Sequence, residues 1–190
     1  MPLPPHHRVA GYGLLELLFC LAITAVLAQL ALPSLSHWYA RSGIEQAQNE
    51  LVALLQLARQ TAINQNITVS ICGSADGMQC GAPWSQGSVV FEDANMDGRL
   101  NAGESVLRVT PARAQAGAIY WRSFGNRAAL VFTPHGYTDN QSGSFTLCPL
   151  DGDPALARQV VVNRTGRVRL SRDRNGDGVF EDGTGKPLRC

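Results

Sequence analysis

Residues 14–32 are almost wholly apolar, and beyond Pro33 the chain changes to a pattern with two faces. At a rise of ~1.5 Å per residue in a helix, the apolar run is about as long as a bilayer core is thick. Residues 34–65 contain no proline and only Gly43, and Leu35, Trp38, Ile44, Ala47, Leu51, Leu54 or Leu55, Ala58 and Ala62 recur at threes and fours. That spacing sets them on one side of a helix, with Arg41, Glu45, Gln48, Asn49, Gln56 and Arg59 largely on the other. The pattern predicts one long helix, about 80 Å from Tyr12 to Gln65. Its outer half has an apolar face that needs a partner surface.

Short β-branched or aromatic runs follow at 67–72, 88–92, 105–109, 118–122, 128–133, 144–148, 159–163 and 167–171, separated by Gly, Asn, Asp and Pro. These read as strands, and their connections are too short for crossover helices, so the sheets should be antiparallel. One N-terminal helix followed by a β-rich head is an α+β architecture. Trp84, Trp121 and Phe132 are expected to pack in the core or on strand faces.

One charged residue, Glu16, interrupts the apolar run. A carboxylate in hydrocarbon costs roughly 2.5–3.5 kcal/mol on insertion scales, so it needs a partner and marks a function. A cut between Gly11 and Tyr12 would create an α-amino group one helical turn from Glu16, and the paired charges tolerate an apolar setting better than either alone. An ordinary secretory signal peptide cut after Ala28 is the alternative, but the run is longer than a typical h-region and a glutamate has no use there.

The junction Gly11-Tyr12-Gly13-Leu14-Leu15-Glu16-Leu17-Leu18 resembles the class III leader junction of type IV pilin-like proteins. It departs from that pattern at Tyr12, where Phe is usual, and at Gly13, where Thr is usual. The resemblance implies a leader at 1–11 removed by a prepilin peptidase and methylation of the new N-terminus. It implies a membrane and assembly segment at 12–33, in which Glu16 serves assembly and Pro33 bends the helix. An amphipathic helix at 34–65 and a β-rich head at 66–190 complete the pilin fold. More narrowly, Cys72 and Cys80 around a turn, the run from Trp84 to Gly98, and Thr165-Gly166-Arg167-Val168-Arg169 resemble the GspH/FimT group of minor pilins and pseudopilins. That implies a subunit of a type II secretion pseudopilus or a type IV pilus, held in the bacterial inner membrane by one pass with its head in the periplasm. Its partners would be other pilins.

The net charge of +1, with 16% charged residues, implies no global field. The charge is uneven, since eight basic residues and four acids fall between Arg158 and Cys190. Cys20 lies in the apolar run, and Cys72, Cys80, Cys148 and Cys190 form an even set beyond it. In an exported head disulfides are expected, and of the three connectivities open to four cysteines we favour Cys72–Cys80 and Cys148–Cys190. Zinc is a weak rival, because no CxxC pair or nearby His has ligand spacing.

Two further stretches suggest binding. Asp93 to Glu104 fits the calcium-loop pattern, with Asp93, Asn95, Asp97, the Arg99 carbonyl, Asn101 and Glu104 as oxygen donors for Ca2+ and Gly98 at the sharp turn. The flanks read as strands where an EF-hand has helices, and a polar hairpin shaped by Asx turns is the competing reading. A second such start at Asp173 has Thr184 where the closing glutamate belongs, and reads as a turn. In 167–171, Val168 and Leu170 alternate with Arg167 and Arg169, so the apolar pair should face the core and the guanidinium groups the solvent. With Arg164, Arg172 and Arg174 they form a cluster suited to phosphate, and the resemblance to FimT-like proteins extends this to the DNA backbone in natural transformation. The plain alternative is a solvated strand face in a chain that uses Arg almost exclusively. His135 and Asp139 have no nucleophile beside them, so no enzyme activity is expected.

Overall fold

The structure, a computed structural model, describes residues 13–112 and 117–190, with the side chains of 30–34 and 36 left aside. Two compact units divide at Tyr39 and Ala40. Helix α1 (Leu14–Gln65) contributes to each. Gly11, Tyr12 and the Pro33 side chain lie outside the described residues.

In the first unit the described side chains of α1 are exposed, among them Leu14, Leu17, Leu18 and Phe19. Leu35 and Trp38 are exposed as well, Trp38 by 65%. This corrects the expected stripe, because a helical period shows that a face is apolar without showing where its cover begins. Cover begins at Gly43 and Ile44.

In the second unit the buried face of α1 is Ile44, Ala47, Leu51, Leu54, Leu55, Ala58 and Ala62. Gln48, expected on the polar side, is buried with them. The β-branched runs pair into two four-stranded antiparallel sheets. The first contains β1 (Val69–Gly73), β2 (Ser88–Glu92), β3 (Val106–Thr110) and β5 (Leu130–Phe132) in the order β3-β2-β1-β5. The second contains β4 (Ala118–Ser123), β6 (Gly143–Cys148), β7 (Arg158–Val162) and β8 (Val168–Leu170) in the order β4-β6-β7-β8. Each predicted strand is found, with ends shifted by at most two residues and the strand at 88–92 unshifted.

One core joins α1 to both sheets. Leu51, Leu55 and Ala58 pack with Ile71 and Phe132 of the first sheet and with Phe145 and Val160 of the second. Trp84 fills the junction, edge-on to Phe145 at 4.7 Å, and Trp121 stacks on Phe145 at 4.2 Å. The back of the first sheet has its own small cluster, Cys72, Val89, Phe91 and Ala129, against which Cys80 and Leu100 pack. Both expected disulfides form, Cys72–Cys80 and Cys148–Cys190. The second holds the C-terminal segment beside β6.

Candidate functional site

Glu16 stands in the first turn of α1. The backbone amides of Glu16 and Leu17 both bond the Gly13 carbonyl, so the helix is closed here, and a carboxylate suits its positive end. Around it Leu14, Leu15, Leu17, Leu18 and Phe19 are all more than half exposed. The Thr24 hydroxyl donates back to the Cys20 and Leu21 carbonyls at 2.9 Å, which satisfies its polarity inside the helix. This leaves an open apolar surface carrying one carboxylate. Among the described residues no helix is long and apolar enough to cross a membrane, and the described side chains of the run end at Gln29.

The arginine cluster is built on the β7–β8 hairpin. Asn163 shapes its turn by accepting, through Oδ1, the Thr165 hydroxyl and the Arg167 amide. Arg164, Arg167, Arg169, Arg172 and Arg174 are all exposed, and among the described residues none of them is held in an ion pair. Arg169 lies opposite Val161 on the outer face of the second sheet. Val168 is half-buried against the core, but Leu170 is 46% exposed, contrary to expectation. Strand β8 is the last of its sheet and ends at this residue, so among the described residues Leu170 is covered from one side only in part.

Arg158 leaves the basic surface altogether. It is buried, its guanidinium lies 3.8 Å from the centre of the Phe180 ring, and Nη1 donates to the Ala157 carbonyl at 3.0 Å. Nη2 is 3.7 Å from the Glu45 carboxylate. Burial lowers its pKa, and the neighbouring Glu45 charge opposes that shift. Sequence counting could not see this, because a buried and an exposed arginine on alternate strand positions carry the same letter.

The two Asp-rich loops close in the same way. Asp93 is fully buried and accepts the Ser70 hydroxyl and the amides of Asp97 and Gly98. Asp97 accepts the Arg99 amide and the Asn95 and Asn101 side chains, and Glu104 accepts the Asn101 amide. The Asn101 side chain, followed by the Arg99 amide, holds the Asp97 carboxyl below its ordinary pKa. In the second loop Asp173 accepts the Gly176 and Gly178 amides, and Glu181 accepts the Arg174 amide. Among the described residues it is this loop, not the one at Asp93, that gathers three carboxylates within 4.8 Å: Asp173, Asp177 and Glu181. His135 is exposed in a turn, and Asp139 pairs with Arg127 at 3.0 Å.

A long N-terminal helix with an open apolar surface and one acid, laid in its second half on an antiparallel head, defines a pilin-like subunit. A family model described as type II transport protein GspH matches residues 47–166, and the chain belongs to that family. It is a minor pilin or pseudopilin, in a family of structural filament subunits rather than of enzymes. The type IV minor pilin FimU of Pseudomonas aeruginosa strain PAO1 is similar in structure, with a TM-score of 0.51 and 25% identity over 70% of this chain and 90% of that one. A second crystal form of FimU gives 0.50 and 24%, over 67% and 92%. The minor pseudopilin EpsH of the Vibrio cholerae type 2 secretion system gives 0.48 and 12%, over 66% and 94%. No curated protein sequence matches significantly. Family membership implies assembly with other pilins and a membrane-associated, periplasmic setting.

Proposed function

We propose that the chain is cut between Gly11 and Tyr12 by a prepilin peptidase, held by residues 12–33 in the inner membrane with the head in the periplasm, and then drawn into a filament. In the filament Glu16 neutralises the N-terminal amine of a neighbouring subunit and so fixes the register. The observation that carries this reading is the single carboxylate in the first turn of α1 on a surface of exposed Leu and Phe. Such a charge is tolerated among packed apolar helices only beside an opposite one. The disulfides accord with an oxidising compartment. Glu16→Ala should remain processed and membrane-bound but be missing from the sheared filament fraction. Normal incorporation would refute the role. Deletion of the gene, scored for exoprotein secretion, twitching and transformation, distinguishes the secretion pseudopilus from the pilus.

A second reading adds a ligand to the first. The exposed Arg164, Arg167, Arg169, Arg172 and Arg174, without an ion pair among the described residues, favour contact with the DNA backbone without base reading. It predicts sequence-independent retardation of DNA that weakens steeply with salt. Equal retardation by wild type and by Arg167→Gln/Arg169→Gln would end it.

A further inference from the structure

The outer face of the second sheet ends, on the β4 side, in a hollow of about 620 Å³ that neither reading uses. One wall is the exposed Tyr120 of β4 with Arg122 beside it. The C-terminal segment forms a further wall, which brings Lys186 and Arg189. That wall is fixed in place. Leu188 is buried, its amide donates to the Phe180 carbonyl, Glu181 bridges both Arg172 and Pro187, and Cys190 is tied to Cys148. The hollow is therefore formed before any ligand arrives, as small-molecule sites usually are.

Its floor is polar. The Gln159 side-chain amide donates to the Thr146 hydroxyl at 3.3 Å, and these two residues face Tyr120 across the sheet through the pairs Tyr120–Thr146 and Thr146–Gln159. Among the described residues none of Arg122, Lys186 and Arg189 is within ion-pair distance of an acid, though the Lys186 charge is near enough to help hold the Asp182 carboxyl below its ordinary pKa. Asp182 is the acid among the lining residues, and it turns one oxygen inward: Oδ1 accepts the Thr184 hydroxyl and the amides of Thr184 and Lys186. Its other oxygen takes no bond within the described residues.

We infer that this hollow binds an acidic saccharide, one or more sugar rings carrying a carboxylate. The three cations supply the charge-assisted bonds that a carboxylate wants. The Tyr120 ring offers a flat apolar surface for the C–H face of a sugar. Thr146, Gln159 and the free Asp182 oxygen supply the short polar partners that sugar hydroxyls need. A running nucleic-acid strand fits less well. It asks for successive aromatic platforms, and Tyr120 is the one aromatic among the lining residues.

The test is calorimetric titration of the full chain in detergent micelles with trigalacturonate, maltotriose, inorganic phosphate and a ten-residue oligo-dT. Trigalacturonate should bind, and maltotriose and phosphate should bind at least about tenfold more weakly, as expected when a hydrogen-bonded charge or a ring contact is missing. Arg122→Gln and Tyr120→Ala should each weaken trigalacturonate about tenfold, while Tyr120→Phe keeps the affinity. Both positions are exposed, so these variants leave the fold intact. Three results would overturn the assignment: maltotriose binding as tightly as trigalacturonate, variants within twofold of wild type, or oligo-dT binding more tightly with the same dependence on Arg122 and Tyr120.

Discussion

Gly166 shows how one residue can serve the hairpin and the helix together. Its φ is +72°, and a Cβ placed there would sit 2.1 Å from the Gly136 carbonyl oxygen and 2.8 Å from Arg59 Nε. Arg59 of α1 needs that space, because its Nε donates to the Gly136 carbonyl at 2.9 Å and its Nη2 reaches the Thr165 carbonyl at 3.4 Å. The left-handed backbone alone would strain an alanine by about 1–2 kcal/mol, and the backbone clash adds to it. Gly166→Ala should therefore lower the midpoint of thermal unfolding clearly, even with every arginine of the cluster still present. An unchanged midpoint would show that the turn can shift away from α1. Asp97 gives a pH prediction at the same scale. Its folded pKa is depressed below the ordinary 3.8, so its contribution is present above that value and is lost as pH falls through the depressed one. The group is exposed and the effect on stability is small, but a carbon NMR titration of its carboxyl should report it directly. Asn101→Ala removes the largest cause and should move the midpoint back up.

At the scale of elements, Arg158 joins three pieces of chain that are far apart in sequence: β7, Glu45 of α1 and Phe180 of the C-terminal segment. The Glu45 side is about half open to water, so the ion pair itself contributes little. The stacked guanidinium and its bonds to the Ala155 and Ala157 carbonyls carry more. Arg158→Ala should cost about 1–3 kcal/mol in chemical denaturation, from lost packing and unpaired carbonyls. Arg158→Met should recover most of that, since an apolar chain of similar volume often replaces a buried ion at little cost. If methionine proves as damaging as alanine, the charge rather than the packing holds these elements together.

For the whole molecule, what was legible in the chain was what period and chemistry determine locally. The eight strands followed from β-branched runs, and the two disulfides from an even set of cysteines beyond the apolar run. What was not legible depends on which surfaces meet. Leu35 and Trp38 carry the same period as Ile44 but lack its cover, Leu170 alternates correctly at the end of its sheet, and Arg158 reads like its solvent-facing neighbours. The hollow beside Tyr120 was hidden for the same reason, because it joins β4 to a tail far along the sequence. The division at Tyr39 and Ala40 makes the last expectation separable. The second unit has its own continuous core of α1 and both sheets, and among the described residues the buried face of α1 starts only at Gly43 and Ile44. Glu16→Ala changes an exposed side chain distant in sequence from that core, and surface substitutions usually alter stability by no more than about 0.5 kcal/mol. The variant should therefore unfold with wild-type stability in detergent while being excluded from the filament. Loss of incorporation together with a lowered midpoint would mean that the mutation acts by unfolding the head, and Glu16 would no longer be needed as the partner of a neighbour's amine.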